Sequence, residues 1–344
     1  MGTRRLAGAG VDLLADADGL AVMGLFPVLA RLPEFIRLGK WLAADIRVRT
    51  PKVVLTIDYP GFNMRMQKQL APLRSQGTRL IHMVAPQVWA WRQRRAKKYA
   101  QTVDELWCFF DFEPKYFQRF GCDARFVGHP LVDLIGSPTA DEEALLQPLG
   151  LQGNDRLLVI APGSRQREIA GLLPVFSQAV DLAADRLTLP DGGRLKVAVA
   201  KVPDRDRDLY RRYTDYPLVE GGYQALCRCG HAGIIASGTA TLEAALLGLP
   251  HVLAYRGDAI TARIARQVIQ TEHVGLPNIV HGSRLVPELL QDELTPGVLA
   301  DRLVEIWNEP RHQQMQSLLG RTSDLLGGGG AMNRMADRLA ALID

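Results

Sequence analysis

Long apolar runs, patterned cysteines and charge of one sign are all scarce in this chain of 344 residues. No run approaches the ~18 apolar residues of a spanning helix, and the first residues do not make a secretory leader, so the chain is expected neither to cross a membrane nor to be exported. The four cysteines, Cys108, Cys122, Cys227 and Cys229, show neither a disulfide framework nor paired CxxC zinc spacing. A reducing, cytoplasmic setting without a cysteine-bound metal is the expectation. A formal net charge of +4 suits anionic ligands or an anionic surface without requiring either. Nucleotide signatures are missing too. Gly8 and Gly10 have no strand before them and no third glycine, and the run Gly327 to Gly330 lacks the Gly-Lys-Ser/Thr ending of a phosphate loop. That run reads as a flexible joint.

What is present is a soluble composition, 47% hydrophobic and 23% charged, in a chain too long for one comfortable α/β core. Two domains are expected. From Pro51, strand patterns alternate with helical ones: KVVLTID, a helix from Phe62 to Leu73, RLIHMVA, a helix from Arg92 to Tyr99, ELWCFF, a helix from Pro114, and ARFVG. Around Gly128, His129 and Pro130 the alternation stops, and the polar stretch SPTADEEALLQPLGLQGND reads as a linker. A second series follows, with RLLVIA, LKVAVA, LVEGG, HAGIIAS and HVLAYR as strands. Such alternation predicts doubly wound parallel sheets, whose ligands sit at the carboxyl ends of the strands.

Several strand ends carry candidate chemistry. Ser237, Gly238 and Thr239 break HAGIIAS before a helical run from Ala240 to Leu247. A helix that starts there offers unpaired N–H groups and the positive end of its dipole, which favours a phosphate or diphosphate. Glu243, four residues after Thr239, leans back toward the turn and is placed to accept hydrogen bonds from sugar hydroxyls. An ordinary capped helix with a surface Glu fits the same stretch. Gly163, Ser164 and Arg165 repeat the logic, with Arg165 adding a forked donor for phosphate oxygens. Asp58, just after KVVLTI, is a candidate general base, although a turn-forming Asp ahead of Pro60 and Gly61 is the plainer reading. His129 reads as a structural hydrogen-bonder, and the DRDRD run near Asp204 as a solvated surface.

Phe26, Leu29, Leu32, Phe35 and Ile36 recur at helical spacing between Leu20 and Leu42, broken by Pro27 and Pro33 and interleaved with Arg31, Arg37 and Lys40. This fits an interfacial amphipathic surface or a core-facing helix pair with a basic side. Trp89 and Trp91, followed by basic residues, match no nucleic-acid fold signature and read as a loop shaping a cleft.

Taken in order over nearly the whole chain, GLAVMG, IDYPGFN, APQVWAWR, VGHPL, PGSRQREI, SGTATLE, LPNIV and PELLQ closely resemble the lipid-A-disaccharide synthase family of inverting glycosyltransferases. The resemblance implies an α/β fold of the GT-B type, two Rossmann-like parallel-sheet domains with a cleft between them. It divides the chain into an acceptor and membrane-facing domain at 1–131, a UDP-sugar domain at 132–304, and helices at 305–344 that pack back on the first domain or on a partner. The implied reaction moves a 2,3-diacylglucosamine unit from its UDP-activated form to the 6-hydroxyl of 2,3-diacylglucosamine 1-phosphate. Lipid A disaccharide 1-phosphate and UDP are the products. Asp58 matches the family's base and Arg165 its phosphate-contacting arginine; Gly163, Ser164, Ser237, Gly238, Thr239 and Glu243 fall in the donor region, and Asn278 matches another family site.

The resemblance further implies no cofactor, no bound divalent metal and no nucleic-acid partner. It implies peripheral attachment to the cytoplasmic face of the inner membrane, with Phe26, Leu29, Leu32, Phe35 and Ile36 as membrane or acyl contacts, and it admits a homodimer. Family members open with a strand and a Gly-Glu-x-Ser-Gly-Asp type loop that lie ahead of the point where Met1 enters the pattern. The expectation is a first sheet missing that strand, with the activity of this form in question. Two rival readings remain at this point. One is another GT-B enzyme, such as the peptidoglycan N-acetylglucosaminyl transferase or a UDP-sugar 2-epimerase; the other is a form that binds UDP-sugar or lipid without turnover. IDYPGFN and PQVWAWR favour lipid A.

Overall fold

A computed structural model describes residues 1–16, 31–88, 94–257 and 272–343. The first alternating series folds into four parallel strands, β1 (Val53–Ile57), β2 (Arg79–Met83), β3 (Glu105–Cys108) and β4 (Ala124–Phe126), hydrogen-bonded in that order. Val53 lies opposite Arg79, and Ile57 opposite Met83. All four residues of β3 are buried, as expected of a parallel strand covered on both faces. The second series gives six parallel strands: β5 (Arg156–Ala161), β6 (Leu195–Lys201), β7 (Leu218–Glu220), β8 (Gly230–Ala236), β9 (His251–Tyr255) and β10 (Glu288–Leu290). Their spatial order is β10-β9-β8-β5-β6-β7. The chain thus runs outward from β5 through β7, returns, and runs outward on the other side from β8. The β5/β8 junction is a topological switch point, where two successive crossovers leave a crevice.

The helices that position the site are α1 (Leu32–Arg49), α2 (Pro60–Leu70), α3 (Gln166–Ala183), α4 (Tyr223–Cys229), α5 (Thr239–Leu246), α6 (Leu276–His281), α7 (Pro296–Trp307) and α8 (Ala331–Ile343). Several helix boundaries differ from the sequence reading. α2 starts at Pro60 rather than Phe62, since a proline fits a first turn whose N–H groups are unpaired anyway, and it gives way to a 3₁₀ turn over Ala71–Gln76 at Pro72. The next helix, Arg94–Thr102, reaches past the expected end at Tyr99, and its expected start at Arg92 lies outside the described residues. The polar stretch after Ile135 is not bare linker either. It holds the helix Ala140–Leu146, capped by Thr139 and tied to α4 by Arg228, whose Nε donates to Glu142 at 3.2 Å.

The largest apolar cluster sits on one face of the second sheet under α3 and α7, where Ile160, Phe176, Leu253 and Trp307 are buried. The first sheet is covered by the end of the chain. Met335 of α8 joins Ile81, Trp107 and Val127 in one cluster, with Leu339 and Leu342 beside it. Each such side chain contributes about 1.5–3 kcal/mol when fully buried. The crossover into α8 corrects the expectation of a flexible glycine joint. The N–H groups of Gly330 and Met332 donate to the Asp133 carboxylate at 2.6 and 2.7 Å, while Arg334 Nε donates to the Val127 carbonyl at 3.0 Å. Gly327 and Gly328 have φ of 89° and 62°, so the glycines serve a tight left-handed path that is held in place. The two halves also share an apolar seam in which Phe110 and Leu131 meet Leu242 of α5 and Leu326. That seam packs the helix after β8 against the loop after β3.

Candidate active site

Asp58 occupies the position that a parallel sheet reserves for ligands, the residue directly after β1. Its backbone is unusual. Asp58 and Tyr59 have φ of 48° and 44°, and Val84, directly after β2, has φ of 73°. Left-handed geometry costs a non-glycine residue roughly 1–2 kcal/mol, and a β-branched valine pays most clearly. Strain at two adjacent strand ends persists only where surroundings hold it. Here the Asp58 N–H donates to the Met83 carbonyl at 2.9 Å, and Asn63 Nδ2 donates to the carbonyls of Ile57 and Asp58 at 3.1 and 2.6 Å. The Asp58 side chain is left exposed at the strand end.

Beneath this turn lies a polar cluster that periodicity did not reveal. Thr56 Oγ1 donates to the Ile81 carbonyl at 2.9 Å and accepts from Gln67 Nε2 at 2.5 Å. With its proton spent, Thr56 must accept from His82 Nδ1, also at 2.9 Å, which fixes the histidine tautomer. Burial pushes the His82 imidazole down to about 4, so it is neutral at physiological pH. Its Nε2 has no hydrogen-bond partner. The available sequence signal was a Thr and a His inside the apolar runs VVLTI and RLIHM.

At the switch point of the second sheet, the turns after β5 and β8 lie side by side, since Ala161 pairs with Ile235. Gly238 is the N-cap of α5, with φ 146° and ψ −162°, and no side chain caps the helix. Within the first turn, Thr241 donates its hydroxyl to the Gly238 carbonyl at 2.7 Å. Gly238 and Thr239 are exposed and Ser237 half-buried. Glu243 lies half-buried and is met by Gln224 Nε2 of α4 at 3.3 Å. Burial raises the Glu243 carboxyl above its usual range, against the opposing pull of that hydrogen bond.

The turn after β5 departs from a bare phosphate cradle. Gly163 has φ of 98°, and the N–H groups of Ser164 and Arg165 donate to Glu168 Oε2 at 3.1 and 3.2 Å. Arg165 also pairs with Glu168 through its guanidinium. A carboxylate three residues into α3 thus takes the amides that a phosphate would use, because a Glu at that position closes a capping box. Asn278 is fully buried rather than open to a ligand. Its Nδ2 donates to the Val286 carbonyl and to Glu288, both at 2.8 Å, while its Oδ1 accepts from the Val286 N–H at 2.8 Å. His129 caps a short helix by accepting from the Leu131 N–H at 3.1 Å, between the rings of Phe109 and Phe110.

Leu32, Phe35 and Ile36 of α1 line an apolar groove of about 400 Å³ whose other wall is Tyr59, Pro60, Phe62 and Met66, next to Asp58. Lys40 and Arg65 stand among its lining residues. Gly39 makes the close packing possible, since a Cβ there would sit 3.3 Å from the Phe62 ring. Phe26, Leu29, Trp89 and Trp91 lie outside the described residues. Among the described residues, no helix is long and apolar enough to cross a membrane, and no cluster of His, Cys, Asp and Glu could hold a metal ion.

Two parallel Rossmann-like sheets, with candidate groups on the carboxyl ends of both, define the GT-B class of fold. Solved structures share this fold. A UDP-GlcNAc 2-epimerase from Neisseria meningitidis matches with a TM-score of 0.60 at 12% identity, over 98% of this chain and 87% of that one. The calicheamicin glycosyltransferase matches with a TM-score of 0.60 at 14% identity, over 99% and 88%. Within that class, the lipid-A-disaccharide synthetase family matches residues 1–341. The lipid-A-disaccharide synthase of Azotobacter vinelandii is 40% identical over 314 residues, spanning 89% of this chain and 80% of that relative. The chain belongs to the lipid-A-disaccharide synthetase family, the glycosyltransferases of lipid A biosynthesis.

Proposed function

We propose that this chain transfers 2,3-diacylglucosamine from its UDP-activated form to the 6-hydroxyl of 2,3-diacylglucosamine 1-phosphate, with Asp58 as the base. The observation that carries this reading is the strained, braced turn that leaves Asp58 at the carboxyl end of β1 beside an apolar groove. The Asp58 carboxylate takes the proton of the acceptor hydroxyl as its oxygen attacks the anomeric carbon. The bond from that carbon to the diphosphate breaks, UDP leaves with the electron pair, and the anomeric centre inverts. The start of α5 at Gly238 and the guanidinium of Arg165 face the departing diphosphate, and the Glu243 carboxylate accepts from sugar hydroxyls. The groove under Leu32, Phe35 and Ile36 takes acyl chain or membrane lipid, in keeping with a protein working peripherally on the cytoplasmic face of the inner membrane. In this reading residues 1–131 handle acceptor and membrane, 132–304 the donor, and 305–344 fasten the two. Asn278 acts indirectly, by bracing α6 against the segment that leads into β10.

Incubating the protein with both acylated sugars and measuring UDP release tests the reading. UDP should appear only when both are present. Donor binding without UDP release would leave a non-turnover form, and product from UDP-GlcNAc alone would favour an epimerase.

A further inference from the structure

The charge run near Asp204, in the loop after β6, is exposed as the sequence suggests, and the fold sets it beside the donor turn. β6 lies next to β5, on the side away from β8, so Lys201 at its carboxyl end and the residues after it border the Gly163 to Arg165 turn. Arg205 Nε donates to the Ser164 carbonyl at 3.0 Å. The loop is braced for this: the Arg205 N–H donates to the Val202 carbonyl at 3.1 Å, and the Val202 N–H donates to the Tyr210 hydroxyl at 3.2 Å.

Three cations therefore lie at or next to these two strand ends, and their neutralisation differs. Arg165 is paired with Glu168. Lys201 is buried, paired with Glu220 at 3.1 Å and further bonded to the Val202 and Pro203 carbonyls at 3.3 and 3.4 Å. Arg205 is exposed and forms an ion pair with no carboxylate among the described residues. The two backbone amides of the turn are already taken by Glu168, so an anion arriving there meets the side chain of Arg205 as a donor engaged only by a carbonyl. A guanidinium anchored through Nε keeps both terminal nitrogens for a forked contact with phosphate oxygens.

We infer that Arg205 is a donor-binding residue that contacts the diphosphate of the UDP-sugar. The inference rests on the donor reading given above and adds to it a guanidinium held against the turn by the Ser164 carbonyl. It also gives Ser164 a specific part, as the carbonyl that aims the guanidinium.

Calorimetric titration of UDP, and of uridine as a probe without phosphates, tests this on the wild type, Arg205→Ala, Arg205→Lys and Arg302→Ala. Arg302 is an exposed arginine of α7 and serves as the charge control. Loss of a hydrogen bond to a charged group should weaken UDP binding by about ten- to one-hundredfold in Arg205→Ala. Uridine binding should be unchanged, Arg205→Lys should fall between, and Arg302→Ala should match the wild type. Arg205 is exposed, so the fold should survive, and an unshifted melting temperature of Arg205→Ala confirms it. Wild-type UDP affinity in Arg205→Ala would overturn the inference and leave the donor reading standing. Equal weakening of UDP and uridine would also overturn it, because Arg205 would then only shape the loop. A wild type that binds no UDP would remove the donor reading and the inference together.

Discussion

Gln224 donates its side-chain amide to the carboxylate of Glu243 at 3.3 Å, joining α4 to the helix whose start forms the proposed donor turn. The neighbouring Tyr223 adds a second tie, its hydroxyl donating to the Ala240 carbonyl at 2.5 Å. Burial raises the Glu243 carboxyl, and the Gln224 bond is the influence that opposes it. In Gln224→Leu that opposition is gone, so the carboxyl rises further and Glu243 protonates at a higher pH. A protonated Glu243 is a weaker acceptor for sugar hydroxyls. UDP affinity measured against pH should therefore be close to wild type in mild alkali and fall off on acidification at a higher pH in the variant. Superimposable profiles would remove Gln224 as a positioning residue.

The groove beside Asp58 predicts a separable membrane function. Ile36 is 40% exposed and Trp41 of the same helix 48% exposed, an apolar surface flanked by Lys40 and Arg65. The double variant Phe35→Asp, Ile36→Glu should lose sedimentation with anionic vesicles, since it puts like charge and a desolvation cost where apolar area was buried. UDP binding should persist, because the second sheet is untouched. Vesicle binding equal to wild type would contradict the assignment.

Glu105 and Arg338 are predicted to fasten the end of the chain. Burial pushes the Glu105 carboxyl up, but hydrogen bonds from Arg338 and Trp107 and the charge of Arg125 outweigh it and hold the group below its ordinary 4.5. A depressed carboxyl contributes stability that is fully present above 4.5 and is lost as pH falls through the depressed value. Arg338→Ala should lower unfolding stability by about 1.5–3 kcal/mol at neutral pH, read as a reduced denaturation midpoint. The gap between variant and wild type should close in acid. A midpoint unaffected by the substitution would show that α8 is held by its apolar face alone.

Much of the scaffold was legible because parallel strands are short apolar runs between helical periods, and VVLTI, RLIHM and HAGIIA stand out as such. What stayed hidden depends on partners far apart in the chain. Asp133 ties Gly330 from 197 positions away, and local composition could only suggest a loose joint. Arg205 sits 41 positions from Ser164, joined to it only because β6 is laid beside β5. His82 and Thr56 were visible as polar letters, but their pairing follows from the register of β1 on β2, which places them opposite each other. The Glu168 carboxylate lay within reach of a local argument, since a Glu at the third helical position is a capping signal.

The proposed reaction divides the labour between the sheets, the second holding the donor and Asp58 on the first removing the acceptor proton. The most direct test measures UDP affinity and UDP release side by side for wild type and Asp58→Asn. With Asp58 as the base, the dissociation constant for UDP should be unchanged and release slowed by about 10²–10⁴-fold. Release at near wild-type rate in Asp58→Asn, with UDP still bound, would contradict that role.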